Sequence, residues 1–228
     1  MLAPDIYCFP GIGVDGRLFS RLDLSGYNVK HIHWILPHKK EKLEDYALRL
    51  SSQIDLSRPF VLIGVSFGGM ICSALASHIH PERVFLISSS KCRAELPLRV
   101  RILKIFPFYL WLSDKAYVRA ATLSRRMFGF KGKEDAKLFE EMLNTAPNGY
   151  FRRATDCVVR WSTDTFESGI VHIHGTNDLV IPISSVKPDY IIEGGSHNMM
   201  MTKAAEISMI IRNELQKQVN PTVPSTYP

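Results

Sequence analysis

The chain has only four cysteines in 228 residues, Cys8, Cys72, Cys92 and Cys157, and no two stand at the short spacing of a metal-binding pair. A disulfide framework or a structural zinc site is therefore not expected, and free thiols in a reducing cytoplasm are. No apolar run is long enough to cross a bilayer, and the first residues lack the basic region and apolar core of a secretory signal, so no transmembrane segment is expected. The pattern Gly-x-x-x-x-Gly-Lys-Ser/Thr does not occur, which removes the usual phosphate loop. No helix-turn-helix, zinc-finger or RNA-binding signature is present, so no nucleic-acid partner is expected, and Lys39-Lys40-x-Lys42 reads as a solvated loop. His31-x-His33 and His172-x-His174 each place two imidazoles on one face of a strand, but no Cys, Asp or Glu stands at a matching offset, and no metal is assigned to them.

What remains is an ordinary globular composition, 46% hydrophobic and 22% charged, in a length that fits one domain with a sizeable core. The net charge of +6 is unevenly spread. Residues 91–165 hold 15 Lys and Arg against 8 Asp and Glu, whereas the rest of the chain holds 13 against 14. The basic excess belongs to one segment and has three readings: a solvated face, attraction of an anionic leaving group such as a phosphorylated carrier, or attraction to an acidic membrane surface.

The most informative stretch is Phe60-Val61-Leu62-Ile63-Gly64-Val65-Ser66-Phe67-Gly68-Gly69-Met70. An apolar strand runs into Gly-x-Ser-x-Gly and then into a helix-forming sequence. The bare pattern arises by chance in about one chain in ten of this length, so its placement between strand and helix carries the signal. Such a turn strains the serine backbone, needs glycines where a Cβ would meet the neighbouring strand or helix, and lifts the Ser66 hydroxyl above the sheet edge. It also sets the Phe67 N–H at a helix N-terminus, where an anion is stabilised. A purely structural Gly-rich turn is the competing reading.

Around this stretch strands and helices alternate. Residues 5–9, 28–36, 60–65 and 83–88 read as strands, and residues 43–54 and 67–79 as helices, which predicts right-handed crossovers in a parallel sheet. Pro10-Gly11-Ile12-Gly13 follows the first strand as a turn or an anion-binding loop, with a helix plausible from Asp15 toward Leu22. Residues 91–168 break the rhythm and read as all-helical: 96–112 interrupted at Pro107, then 115–128, 133–144 and 150–161. Strands resume at 169–174 and 189–193, a last helix covers 200–219, and the polar, Pro-rich stretch 220–228 predicts a disordered tail. The expected organisation is a sheet core from 1–90 and 169–219 with a helical insertion at 91–168.

Two loops after the late strands supply partners for Ser66. One is Gly175-Thr176-Asn177-Asp178, the other Gly194-Gly195-Ser196-His197. In a parallel sheet both lie at the carboxyl edge, as Ser66 does. A serine hydroxyl is a poor nucleophile until a histidine removes its proton, and that histidine needs a carboxylate to hold its tautomer and stabilise its cation. Asp178 and His197 are placed to serve, in the order Ser, Asp, His. Glu193 shares its neighbourhood with His197, and the loop after residues 86–88 offers no carboxylate.

On these three motifs the chain resembles the α/β-hydrolase superfamily. Gly64-Val65-Ser66-Phe67-Gly68 resembles its nucleophile elbow, His174-Gly175-Thr176-Asn177-Asp178 its acid loop, and Gly195-Ser196-His197 its histidine loop. The resemblance covers about 5–90 and 169–219 and places the helical insertion where the family carries a variable cap. It implies a doubly wound sheet of about six strands in spatial order second, first, third, fourth, fifth, sixth, with residues 11–13 facing Ser66. It also implies an oxyanion hole formed by the backbone N–H groups of Ile12 and Phe67. Pro10-Gly11 replaces the family's frequent His-Gly, and the chain opens on what would be the family's third strand, without an N-terminal hairpin. The resulting expectation is a serine hydrolase acting without cofactor on a small-molecule ester or thioester. C–C bond hydrolysis on the same triad, and a non-catalytic binding module that kept the fold, are the alternatives.

Overall fold

Phe60–Val65 (β3) is buried at every position, which requires neighbours on both edges and both faces. The computed structural model describes residues 3–130 and 132–219, apart from the side chains of 218 and 219; the tail expected at 220–228 lies outside the described residues. On one side β3 pairs with Asp5–Phe9 (β1), and β1 with Asn28–His31 (β2). On the other it pairs with Arg83–Ile87 (β4), followed by Ile170–Gly175 (β5) and Tyr190–Ile192 (β6). All five pairings are parallel and the spatial order is β2-β1-β3-β4-β5-β6, as the resemblance implied. The order reverses between β1 and β3, so the loops leaving these two strands diverge across a crevice at the carboxyl edge.

Right-handed crossovers put helices on opposite faces according to the direction in which the chain moves along the sheet. Leu43–Leu50 (α1) packs on Phe67–Ile79 (α2), both from connections running toward β4. The 3₁₀ turn Gly16–Phe19, from the one connection running the other way, packs with Met199–Thr202 (α8), which leads into Ala204–Val219 (α9). The Asp23 N–H donates to the Ser208 hydroxyl on α9, joining this second layer at 2.9 Å.

Three expected elements are shorter or broken. The strand expected over 28–36 ends at His31, because its sheet partner β1 ends at Phe9 and the last paired residues are Cys8 and His31. Beyond this, Trp34 Nε1 donates to the carbonyls of Gly11 and Val14, so the chain wraps the β1 loop instead of extending the sheet. The helix expected over 200–219 breaks at Lys203, whose φ of −130° and ψ of 24° leave the helical region. The helix expected from Asp15 is the single 3₁₀ turn.

Between β4 and β5 there is no strand among the described residues. Leu98–Ile102 (α3) and a 3₁₀ turn Phe108–Trp111 flank Pro107. Asp114–Leu123 (α4), Arg125–Phe128 (α5), Lys133–Leu143 (α6) and Tyr150–Arg160 (α7) follow. A buried hydrogen bond from the Tyr109 hydroxyl to Asp156 Oδ1, 2.7 Å, ties the 3₁₀ turn to α7. All four cysteines are buried free thiols. Among the described residues no helix is long and apolar enough to cross a membrane.

Candidate active site

Ser66 is the residue between β3 and α2, and its backbone stands at φ 54°, ψ −118°, a region that costs a β-carbon-bearing residue roughly 1–3 kcal/mol. The surroundings hold it there. Its N–H donates to the Ile87 carbonyl on β4 at 3.0 Å. Its carbonyl accepts from the Gly69 and Met70 N–H groups and from the Ser89 hydroxyl, the last at 2.6 Å. The flanking glycines are required by close approach. A Cβ on Gly64 would lie 2.5 Å from the Gly68 carbonyl oxygen, and one on Gly68 would lie 2.2 Å from the Phe9 oxygen.

Three loops converge on the serine. His197 Nε2 is 3.0 Å from Ser66 Oγ, and His197 Nδ1 is 2.8 Å from Asp178 Oδ2. Asp178 and His197 are both buried. The second carboxylate oxygen, Oδ1, accepts from the Val180 and Ile181 N–H groups, each at 2.8 Å. Burial opposes charge on Asp178, but the adjacent His197 ring and these donors outweigh it, and its pKa lies below the ordinary value. An ionised carboxylate only accepts, so His197 Nδ1 carries the proton it donates, and Nε2 is left with a lone pair facing the serine hydroxyl.

Ile12 and Phe67 line the same cavity as Ser66 and His197. A Cβ on Gly11 would stand 3.7 Å from the Ser66 Cβ, so the β1 loop backs directly onto the serine. Among the described residues neither the Ile12 nor the Phe67 N–H has an acceptor. The cavity is about 400 Å³ and mostly apolar; Leu96, Val100, Tyr117, Phe128, Phe139 and Phe151 form much of its wall, all from the segment between β4 and β5. A wider depression of about 610 Å³ lies at Asp15, Arg17, His31 and Thr145 and touches none of Ser66, Asp178 and His197.

Several contributors escaped the sequence. The Ser89 hydroxyl braces the Ser66 carbonyl, although the loop after residues 86–88 is notable in the sequence only for lacking a carboxylate. The Phe128 ring lies edge-on to His197 with centroids 5.9 Å apart, and the Phe128 carbonyl accepts from the Asn198 N–H. Nothing local marks Phe128, because the contact joins α5 to a loop some 70 residues later. His174 is buried with Nε2 on the Ile181 carbonyl at 2.8 Å and 3.5 Å from Asp178 Oδ2; its Nδ1 faces His172 Nε2 at 3.2 Å. The His-x-His pattern on β5 is thus a buried imidazole pair behind the acid loop. In the other pattern His31 stacks on Phe19, and His31 and His33 both line the wider depression. Among the described residues no group of three or more His, Cys, Asp and Glu side chains is arranged to hold a metal ion. Glu193 accepts from the Thr176 hydroxyl instead of engaging His197.

No protein-family model matches the sequence, and no curated protein matches it. Solved structures do match along almost the whole chain. An esterase from Thermogutta terrifontis superposes with a TM-score of 0.68 at 14% identity, over 94% of this chain and 90% of the other. A hydrolase from Pseudomonas aeruginosa PA01 gives 0.69 at 17% identity, over 93% and 89%. An enol-lactonase from Burkholderia xenovorans LB400 gives 0.63 at 17%, over 94% and 92%. At these identities the likeness is one of fold.

Proposed function

We propose that this chain, which has the α/β-hydrolase fold, is a serine hydrolase that cleaves a carboxylic ester or thioester of a small to medium apolar acyl group. One observation carries the reading: the line of hydrogen bonds from Asp178 through His197 to Ser66 ends at a hydroxyl that opens into an apolar cavity. Ser66 Oγ attacks the substrate carbonyl while His197 Nε2 takes its proton, and Asp178 stabilises the imidazolium that forms. The Ile12 and Phe67 N–H groups receive the oxyanion; preorganised donors of this kind are worth about 3 kcal/mol each. His197 then protonates the departing alkoxide or thiolate, leaving an acyl-serine. A water deprotonated by His197 attacks the acyl carbon, and the proton returns to Ser66 as the acid is released. No cofactor enters the scheme.

The helices at 91–168 act in this reading as a cap whose inward side chains form the acyl pocket, so that reaction type resides in the sheet loops and acyl preference in the cap. Labelling with a fluorophosphonate and hydrolysis of graded acyl esters and thioesters test the proposal together. The purified protein is expected to label at Ser66 and turn over apolar esters, and Ser66→Ala to lose labelling and several orders of magnitude in kcat while keeping its Tm. A variant retaining more than a few per cent of the activity would refute the assignment.

A further inference from the structure

Outside the cavity the largest unexplained feature is the outer face of residues 96–128. Among the described residues sixteen large hydrophobic side chains are exposed, and nine of them fall in this stretch: Leu98, Ile102, Ile105, Phe106, Phe108, Leu110, Trp111, Leu123 and Met127. Trp111 is 83% exposed, Ile105 72% and Phe106 67%. The same 33 residues hold seven Lys and Arg against one Asp, which equals the net charge of the whole chain. Arg101, Lys104, Lys115, Arg119 and Arg126 are exposed, and none is in an ion pair among the described residues.

We infer that this face docks on an anionic lipid surface. Clusters of exposed apolar side chains of this size mark interaction sites rather than ordinary surface. The apolar and cationic groups are interleaved as Leu98, Arg99, Arg101, Ile102, Lys104, Ile105 and Phe106. Leu98 and Ile102 stand one helical turn apart on α3, and backbone hydrogen bonds carry the helical path on to Phe106. Large aliphatic and aromatic groups with cations beside them suit the headgroup boundary, where the apolar parts enter the acyl region and the cations meet lipid phosphates. A second copy of the chain is a poor occupant, because a symmetric contact would press this basic face against itself. Docking here would also bring the bilayer to the active-site cavity. Leu96, Pro97 and Val100 line that cavity from the same strap, Met127 both lines it and is exposed, and Arg99 fastens the strap to the carbonyls of Leu179 and Val180 beside Asp178.

The inference concerns binding and stands apart from the hydrolase reading, so it is tested without turnover. The full chain is titrated with phosphatidylcholine vesicles with and without phosphatidylglycerol, following co-sedimentation and tryptophan emission. Trp161 is buried and Trp34 packed among aromatics, so a blue shift on binding reports Trp111. Binding is expected only with phosphatidylglycerol and should weaken as ionic strength rises. Each cation at such a surface is worth about a fivefold factor, so the double variant Arg101→Gln/Lys104→Gln, which removes two of them, should weaken partitioning by about 25-fold. Trp111→Ser should weaken it and remove the blue shift, and circular dichroism should be unchanged for both. No binding, equal binding to neutral vesicles, or retention on a soluble polyanion without a tryptophan shift would overturn the inference. So would a dimer in size-exclusion that Trp111→Ser converts to monomer with no vesicle binding.

Discussion

A methyl group on Gly68 would meet the carbonyl oxygens of Phe9 and Pro10 at 2.2 and 2.4 Å, and these belong to backbone that cannot rotate away. Gly68→Ala is therefore expected to cost about 3 kcal/mol or more and to displace Ser66. Gly26→Ala, at a positive φ of 91° in open space, should cost only about 1 kcal/mol. Urea midpoints of the two variants measure the contrast, and similar losses would show that close approach is not the constraint. The imidazole pair behind Asp178 leads to a second expectation. Burial, reinforced by the neighbouring His174, pushes the His172 pKa down to about 3. The unfolded ring takes its proton near 6.5, so between these values the unfolded chain binds more protons and stability declines as pH falls. By pH 4 this amounts to about 3 kcal/mol, absent above pH 6.5. His172→Gln should flatten the Tm-against-pH curve in that window; curves that run parallel would remove His172 as the cause. Asp178 acts in the same direction, since its lowered pKa contributes stability that is lost on acidification.

Elements buried on both faces were legible because burial leaves an apolar run: β1, β3 and β4 appear where the sequence puts them, and even β5 survives two histidines. The turn at Ser66 was legible because its Gly-x-Ser-x-Gly spacing is local, although only the demand on Gly64 arises within five residues and that on Gly68 comes from Phe9 and Pro10 on the β1 side. Edges and breaks were not. β2 stops where β1 stops, and the break between α8 and α9 has no Gly or Pro to announce it. The Asp178–His197–Ser66 contacts followed from topology, whereas Phe128 and Ser89 reach the site through tertiary packing that has no local signature. Within the helices at 91–168, Ala121 on α4 lines the cavity. Ala121→Phe should lower kcat/KM for long acyl esters by about tenfold and leave acetyl esters nearly unchanged. An equal fall for both would mean that α4 does not bound the acyl end. Tyr109→Phe deletes the buried bond to Asp156 and should cost about 1–2 kcal/mol in thermal unfolding, without a change in acyl preference.

For the molecule as a whole, the proposed chemistry is divided between a sheet edge and helices contributed by a single excursion of the chain, which agrees with one fold hosting many substrates. The separation of the site residues along the chain has a temporal consequence. Ser66 and His197 are 131 residues apart in sequence yet share a hydrogen bond. The strained turn, its glycines and the first four strands are all present once the chain reaches Ile87, but the base arrives only when β5 and β6 have been added to the far edge of the sheet. Pairings of such long range form late and slowly. During synthesis, and during refolding from urea, a nucleophile without a base should exist for a time. Secondary structure followed by circular dichroism should therefore recover before hydrolytic activity does, and the lag between the two would time the closing of the sheet's last edge.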